Sequence, residues 1–427
     1  MKRTLLLLLV SMLALPLFAG GATEEVEPIE IVVLHGGGQP LTDQAWETTF
    51  AYAVDMWQAE YPEGTVAERR IDLSDGSTMT MDALLAAGQA PNIYDDYVGR
   101  VSKYLVPEFA LDLSEHLDLS AYLDGVLTPY TRDGAVLGLP RPGGAQGMAI
   151  NLEIMRDIGY DPAFDWTIKD FLQMAALVRN HYDGEKFATG MFAGNQSGDY
   201  LINNWFAAFG VEKYADGYEY TTIDQGGAQV YEFFQHLVRQ EYVPPGAATL
   251  VDDDYVIQWA KGDLAATAFF PGWTKPYFDT VISQGLRDEP FDYKFLPFPH
   301  LKGESGTPTY VSSAAIVVQN TGDARVDEAA ATFAGIYNDG YVQTQMSTNL
   351  LIPNRSDATF LPDDPRVAET ARIVAENGIM DVGLTTPFFA AVRPQHYPVL
   401  QKVLNLDVTP EEGIAEYATR INDALSE

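Results

Sequence analysis

Five segments near the N-terminus alternate between two hydrophobic periods, and this alternation constrains the fold more than any other feature of the chain. "IEIVVLHGG" (29–37) reads as an apolar strand. From Asp43 to Tyr61, Trp46, Phe50, Ala53, Val54 and Trp57 recur at helical spacing. "TVAERRIDL" (65–73) alternates like a second strand, and "STMTMDALLAAGQAPNIY" (77–94) reads as a helix ending at Gly88 and then a third strand. Strand, helix, strand, helix, strand predicts an α/β sheet with parallel neighbours. Further on, apolar strands at Ala135–Leu139 and Met148–Asn151 flank a Pro- and Gly-rich segment, which predicts a crossing between two lobes. "YKFLPFP" (Tyr293–Pro299) is a second crossing candidate, "PTYVSSAAIVVQN" a strand, and the chain after "LLIPNRSD" is mostly helical.

The N-terminus bears on the compartment. Lys2 and Arg3 precede an apolar run, Leu5–Leu15, which Pro16 interrupts before the small residues of "LFAGG". This pattern predicts a secretory signal over residues 1–19, cleaved after Ala19, and a periplasmic protein. The chain has no cysteine, so disulfides, thiolate metal sites, cysteine nucleophiles and a cysteine-borne lipid anchor are not expected. A formal charge of −34 disfavours nucleic acid and anionic lipid as partners, because binding phosphate needs Lys and Arg. A hydrophobic content of 47% excludes general disorder, and the length suffices for two cores.

Enzymatic signatures are weak. "HGGG" (35–38) resembles an oxyanion loop, but no serine has glycine two residues before and two after it, so an esterase elbow is missing. The six histidines are scattered, and "DDD" (252–254) lacks the spaced oxygens of a calcium loop; no cofactor is expected. A glycosidase needs two carboxylates at a set separation, which the sequence does not display.

Several residues are binding candidates. His35 ends a strand, where ligands dock in open α/β sheets. Asp95 and Asp96, with Tyr97, follow the third strand; they either hydrogen-bond vicinal hydroxyls or cap the next helix. Arg141, between two prolines, either pairs with a carboxylate such as Asp95 or meets a polar or anionic part of a ligand. Trp46, Trp57 and Trp259 read as core. Trp273, in "KGDLAATAFFPGW" (261–273), ends a buried strand beside a turn, an indole that a buried strand alone does not explain.

The order of "FAYAVDMWQAEYP", "MDALLAAGQAPNIYDDY", "LDLSEHLD", "GAVLGLPRPGGAQGMAINLEIMRDIGYDP", "WAKGDLAATAFFPGW" and "AAATFAGIYND" before "LLIPNRSD" resembles the extracellular solute-binding proteins of ABC importers, family 1, the maltose-binding-protein-like sugar binders. The resemblance implies a two-lobed α/β fold of the type II periplasmic-binding-protein class, each lobe a mixed sheet flanked by helices. It places lobe one at 28–139 and 299–345, lobe two at 145–293 and 350–427, and hinges near 139–145, 293–299 and 345–350. It also implies ligand contacts from Trp273, from Tyr200 and Trp205 with Asn203 or Asn204 nearby, from the region of Phe388 and Phe389, and from Tyr310. The implied function is capture of a carbohydrate, an oligosaccharide above all, by a monomer that delivers it to an ABC permease and catalyses nothing. A polyamine or an acidic or phosphorylated solute is the alternative within binding proteins; a secreted glycoside hydrolase or esterase is the alternative outside them.

Overall fold

The computed structural model describes residues 28–36, 43–70, 77–301 and 306–426. The signal segment 1–19 lies outside them, as do Gly37 and Gly38 of the "HGGG" stretch.

Among the described residues, nine strands form two separate sheets, and Thr131–Arg132 pairs with Ala135–Val136 in a small hairpin outside them. The first takes β1 (Glu30–His35), β2 (Thr65–Arg70), β3 (Ile93–Tyr97), β4 (Leu139–Ala145) and β9 (Val311–Val318), and the second takes β5 (Gly147–Asn151), β6 (Phe187–Thr189), β7 (Leu264–Phe269) and β8 (Tyr293–Leu296). Their spatial orders are β2-β1-β3-β9-β4 and β8-β5-β7-β6. In the first sheet β1 runs parallel to β2 and β3, as the early alternation requires, while β9 returns antiparallel between β3 and β4. The helices that matter below are α1 (Asp43–Glu60), α2 (Ser77–Ala86), α3 (Ile168–Tyr182), α4 (Asp199–Ala208), α5 (Pro271–Ser283), α6 (Ala324–Ile336), α7 (Pro365–Asn377) and α8 (Pro410–Ser426).

The strand period explains how one sheet serves two cores. Ile31, Val33, Ile93, Ile316 and Val318 face α1 and α6, while the alternate Leu34, Tyr94, Ala315 and Val317 face α2. A larger single core surrounds the second sheet, combining Met148–Ile150, Trp166, Phe171, Trp205 and Trp259 with Leu400, Tyr417 and Ile421 near the C-terminus. Helix starts follow local chemistry. Thr167 and Asp170 form a capping box at α3, and Asp364 caps α7 with Pro365 in its first turn. Among the described residues, no helix is long and apolar enough to cross a membrane.

The crossings differ in place from the sequence reading. The Pro- and Gly-rich segment is itself a strand: β4 holds "LPRPGGA" in register with β9, and only Gln146 separates it from β5 in the other sheet. The prolines are tolerated because β4 is an edge strand. Residues 293–299 do not cross either. β8 lies at the edge of the second sheet, His300 exchanges backbone hydrogen bonds with Trp166 and Ile168, and Thr309 bonds Gly378 and Met380, so the chain joins the first sheet only at Val311. The expected third crossing at 345–350 also comes later. Ile352 pairs with Gly143, Leu123 bonds Asn354 and Ser356 bonds Ala121, which keeps the chain with the first sheet until it approaches α7. These contacts join residues 69 to 235 positions apart, and no local pattern encodes them.

Candidate functional site

The carboxyl ends of β1 and β3 face the second lobe, and two polar groupings form there. The inner one begins with His35, whose Nδ1 lies 3.5 Å from Asp95 Oδ2 and whose ring stands edge-on to Trp46 at 4.0 Å. Arg141 binds Asp95 through Nη2 at 2.5 Å and Nε at 3.3 Å, gives Nη1 to the Tyr337 carbonyl at 2.8 Å, and rests 3.9 Å from the Tyr337 ring. Burial alone would raise the Asp95 carboxyl, but the Arg141 guanidinium and His35 outweigh it and hold it below the ordinary aspartate value. Burial lowers the His35 imidazole, despite Asp95 beside it. Asp95, Arg141 and His35 are all at least 97% buried, so this group is sealed inside lobe one. Of the two partners open to Arg141, the structure places the carboxylate; Asp95 and Arg141 are therefore withdrawn as ligand contacts.

Asp96 is committed as well. It accepts both Nε and Nη2 of Arg100 (2.8 and 2.7 Å), the Tyr94 hydroxyl and the Tyr97 amide. β1 ends so close to it that a Cβ on Gly36 would collide with the carboxylate, which is why glycine follows His35. Asp96 thus organises the turn and offers no free oxygen pair for hydroxyls.

The outer grouping spans the two lobes. Tyr97, at the end of β3, meets the Tyr310 hydroxyl with its own, faces the Phe389 ring at 6.3 Å and lies under the Arg393 guanidinium at 5.2 Å. Arg393 Nε is 3.1 Å from Asp199 Oδ2, but the N–H is not aimed at the oxygen, and both Asp199 oxygens are buried without a hydrogen bond. Burial raises the Asp199 carboxyl even against Arg393 and Lys213. Asn204 ties this region to the crossing: its amide donates to Gln146 Oε1 and to the Tyr200 carbonyl, and its Oδ1 accepts the Tyr310 amide. Asn204 is wholly buried and acts as a hinge fastener rather than a ligand contact.

The aromatic wall begins one residue after Asp199. Tyr200 stands edge-on to Trp273 (6.2 Å, 86°) and 6.2 Å from Phe270, which in turn lies 5.1 Å from Trp273 and 6.3 Å from Tyr310. The Tyr200 hydroxyl is buried with no partner, and Trp273 keeps part of its ring exposed. Trp273 belongs to the first turn of α5, started by Pro271, rather than to a turn. That first turn presses on the other lobe: a Cβ on Gly272 would strike the Asn349 carbonyl.

Two expected contacts fall elsewhere. Trp205 is fully buried between Phe171, Phe233 and Phe298, because position 205 of α4 points into the lobe-two core. Phe388 packs on Tyr214 and Tyr218, and its neighbour Phe389 takes the interlobe position, since adjacent residues at a helix start diverge by about 100°. Arg393 and Asp199 were missed, whereas Phe389 was named beside Phe388. A usable signal existed for Arg393: "VRP" repeats the charge-before-proline cue that singled out Arg141. Among the described residues, no group of three His, Asp or Glu could hold a metal.

The comparisons with known proteins agree with this architecture. No curated protein matches the sequence. A chitin oligosaccharide binding protein superposes with a TM-score of 0.77 at 18% identity, over 94% of this chain and 100% of that one. An ABC substrate-binding protein from Listeria monocytogenes in complex with cycloalternan gives 0.74 at 16%, over 94% and 100%. UgpB from Mycobacterium tuberculosis in complex with glycerophosphocholine gives 0.76 at 14%, over 94% and 99%. At these identities the likeness shows the two-lobed fold. The sequence itself matches the bacterial extracellular solute-binding proteins over residues 53–370, and the chain belongs to that family.

Proposed function

We propose that this protein captures an oligosaccharide between its lobes and delivers it to the transmembrane permease of an ABC importer, by binding and release alone. The observation that carries this reading is Tyr200. Its ring forms a wall with Phe270 and the partly exposed Trp273, while its buried hydroxyl has no partner, and Asp199 next to it is ion-paired with Arg393 at 3.1 Å in poor hydrogen-bond alignment. Sugars present apolar C–H faces and polar rims, so rings beside free hydrogen-bonding groups suit them. Solved neighbours whose names include cycloalternan and chitin oligosaccharide support the same class.

In this reading lobe one comprises residues 28–145 and 310–361, and lobe two comprises 147–309 and 365–426. The lobes close by hinge motion at Gln146 and the two later crossings, and solute stabilises the closed state by bridging both walls. Tyr97 serves lobe one, and Tyr200, Trp273, Asp199 and Arg393 serve lobe two; Tyr310 sits at the hinge, and His35, sealed with Asp95 and Arg141, is not a contact. The protein is exported by its residues 1–19, works in the periplasm and acts as a monomer.

A thermal-shift screen of the mature protein against neutral oligosaccharides, uronates and polyamines tests the reading. A ligand at a hundred times its dissociation constant stabilises the native state by about 2.7 kcal/mol. A shift with neutral oligosaccharides, lost in Trp273→Ala, is expected. A shift with polyamines alone would overturn the ligand class, and hydrolysis of the panel would overturn the binding-only role.

A further inference from the structure

Behind the interlobe grouping, lobe two contains a cavity of about 540 Å³ that shares α4 with it. Asp199 faces the interlobe side, and Asn203, one turn later on the same helix, lines the cavity. Three buried polar groups meet in its wall. The Lys213 residue is 7% exposed; among the described residues no carboxylate lies within ion-pair distance of its ammonium, which is 5.5 Å from the Tyr214 ring and feels the charges of Asp199 and Arg393. The Asn203 Nδ2 and the Tyr214 hydroxyl are buried without partners. All three can donate hydrogen bonds, and two of them, on Asn203 and Tyr214, have no acceptor.

Apolar Phe206, Val211 and Val382 complete the inner surface. The acids that also line the cavity, Glu212, Asp216 and Asp381, are exposed, and Asp381 is engaged by Tyr218 and the Gly383 amide. His300 is engaged at both nitrogens, by Asp165 and the Leu301 carbonyl. The unmet demand inside the cavity is therefore for an acceptor carrying negative charge. The Asp199 carboxylate that acts on Lys213 is shared with Arg393, so an oxyanion accepting from Lys213, Asn203 and Tyr214 gives the ammonium a direct partner and satisfies both unpaired donors.

We propose that this cavity is a binding site for an oxyanion, a carboxylate or a phosphate, with Lys213 as its countercharge. The anion is either an acidic substituent of the captured saccharide, in which case the site extends the function proposed above, or a separate small acid. Burial lowers the Lys213 ammonium to about 8, opposed by Asp199 and assisted by Arg393, so a bound anion also secures its charge at neutral pH.

Calorimetric titration of the full chain with galacturonate, and separately with inorganic phosphate, tests the proposal. At least one anion binds wild type, and Lys213→Met weakens it tenfold or more while leaving binding of a neutral oligosaccharide within twofold. The melting temperature of Lys213→Met is read alongside, and a value within a few degrees of wild type shows that lost binding is not lost folding. If neither anion binds wild type, or Lys213→Met binds it equally well, the site does not exist. Trp273→Ala separates the two readings, since it weakens the oligosaccharide and leaves the free-anion titration unchanged. A uronate-bearing oligosaccharide that outbinds its neutral counterpart, with the gain lost in Lys213→Met, identifies a substituent. Equal affinity for the two, with galacturonate binding alongside either, identifies a separate acid.

Discussion

Arg141 on β4 reaches past the intervening strand β9 to close on Asp95 of β3, with Nη2 2.5 Å from Oδ2. The pair is 99% and 98% buried, and its remaining Nη1 donors go to Tyr337 and Met346. It fastens the edge strand that leads into the Gln146 crossing to the middle of the first sheet.

Removing one partner leaves the other charged and buried. Arg141→Met is expected to cost about 3–5 kcal/mol in denaturant unfolding, and Asp95→Leu a comparable amount. The double variant Asp95→Leu/Arg141→Met recovers most of that loss, because no uncompensated charge remains. Costs that simply add would show that the two residues act separately.

Trp273 is the most exposed ring of the aromatic wall, so its truncation costs binding more than folding. Trp273→Ala is expected to weaken the oligosaccharide by about 1.5–3 kcal/mol, roughly ten- to a hundredfold, as measured by calorimetry. An unchanged dissociation constant would return Trp273 to a packing role.

Gly272 lets the first turn of α5 rest against the Asn349 carbonyl. A methyl there meets backbone that cannot rotate away, so Gly272→Ala forces the lobes apart at this contact. Weaker ligand binding, together with a larger radius of gyration in ligand-saturated X-ray scattering, is expected at nearly unchanged melting temperature. A radius equal to that of wild type with ligand would show that the contact does not limit closure.

His396 is wholly buried, with Nδ1 2.8 Å from the Arg393 carbonyl and Nε2 without a partner. Burial lowers its imidazole to about 3, and the nearby Lys213 and Arg393 charges act in the same direction. The unfolded chain binds this proton near pH 6.5 and the folded one only near 3. The stability from keeping it neutral is therefore full above about pH 6.5 and is lost as pH falls towards 3, at about 1.4 kcal/mol per pH unit. His35 shifts in the same sense. Replacing His396 by Gln flattens the acid limb of the unfolding free energy between pH 6 and 4; an unchanged slope would assign the acid sensitivity to other groups.

The sequence by itself determined what repeats within a turn or a strand. The apolar runs at β1 and β9, the alternation at β2 and the 3.6-residue period of α1 are local, and each segment must bury its apolar side whatever follows. That suffices for a parallel α/β beginning, and the order of such segments along the chain carried the family. It also suffices for Trp57 and Trp259 as core, because both sit on the apolar side of a helix.

Only the tertiary structure decided which polar residues face solute. Asp95 and Asp96 are adjacent and alike in sequence, yet one is consumed by Arg141 from two strands away and the other by Arg100 one turn on. Trp205 and Trp273 both follow apolar stretches, but position 205 of α4 points into the lobe-two core and the first turn of α5 stands at the lobe boundary. The late crossings at Val311 and before α7 likewise rest on hydrogen bonds between distant segments. A charged or aromatic side chain is a binding group only when nothing else in the fold reaches it first, and that competition is settled by long-range packing, which leaves no period in the chain.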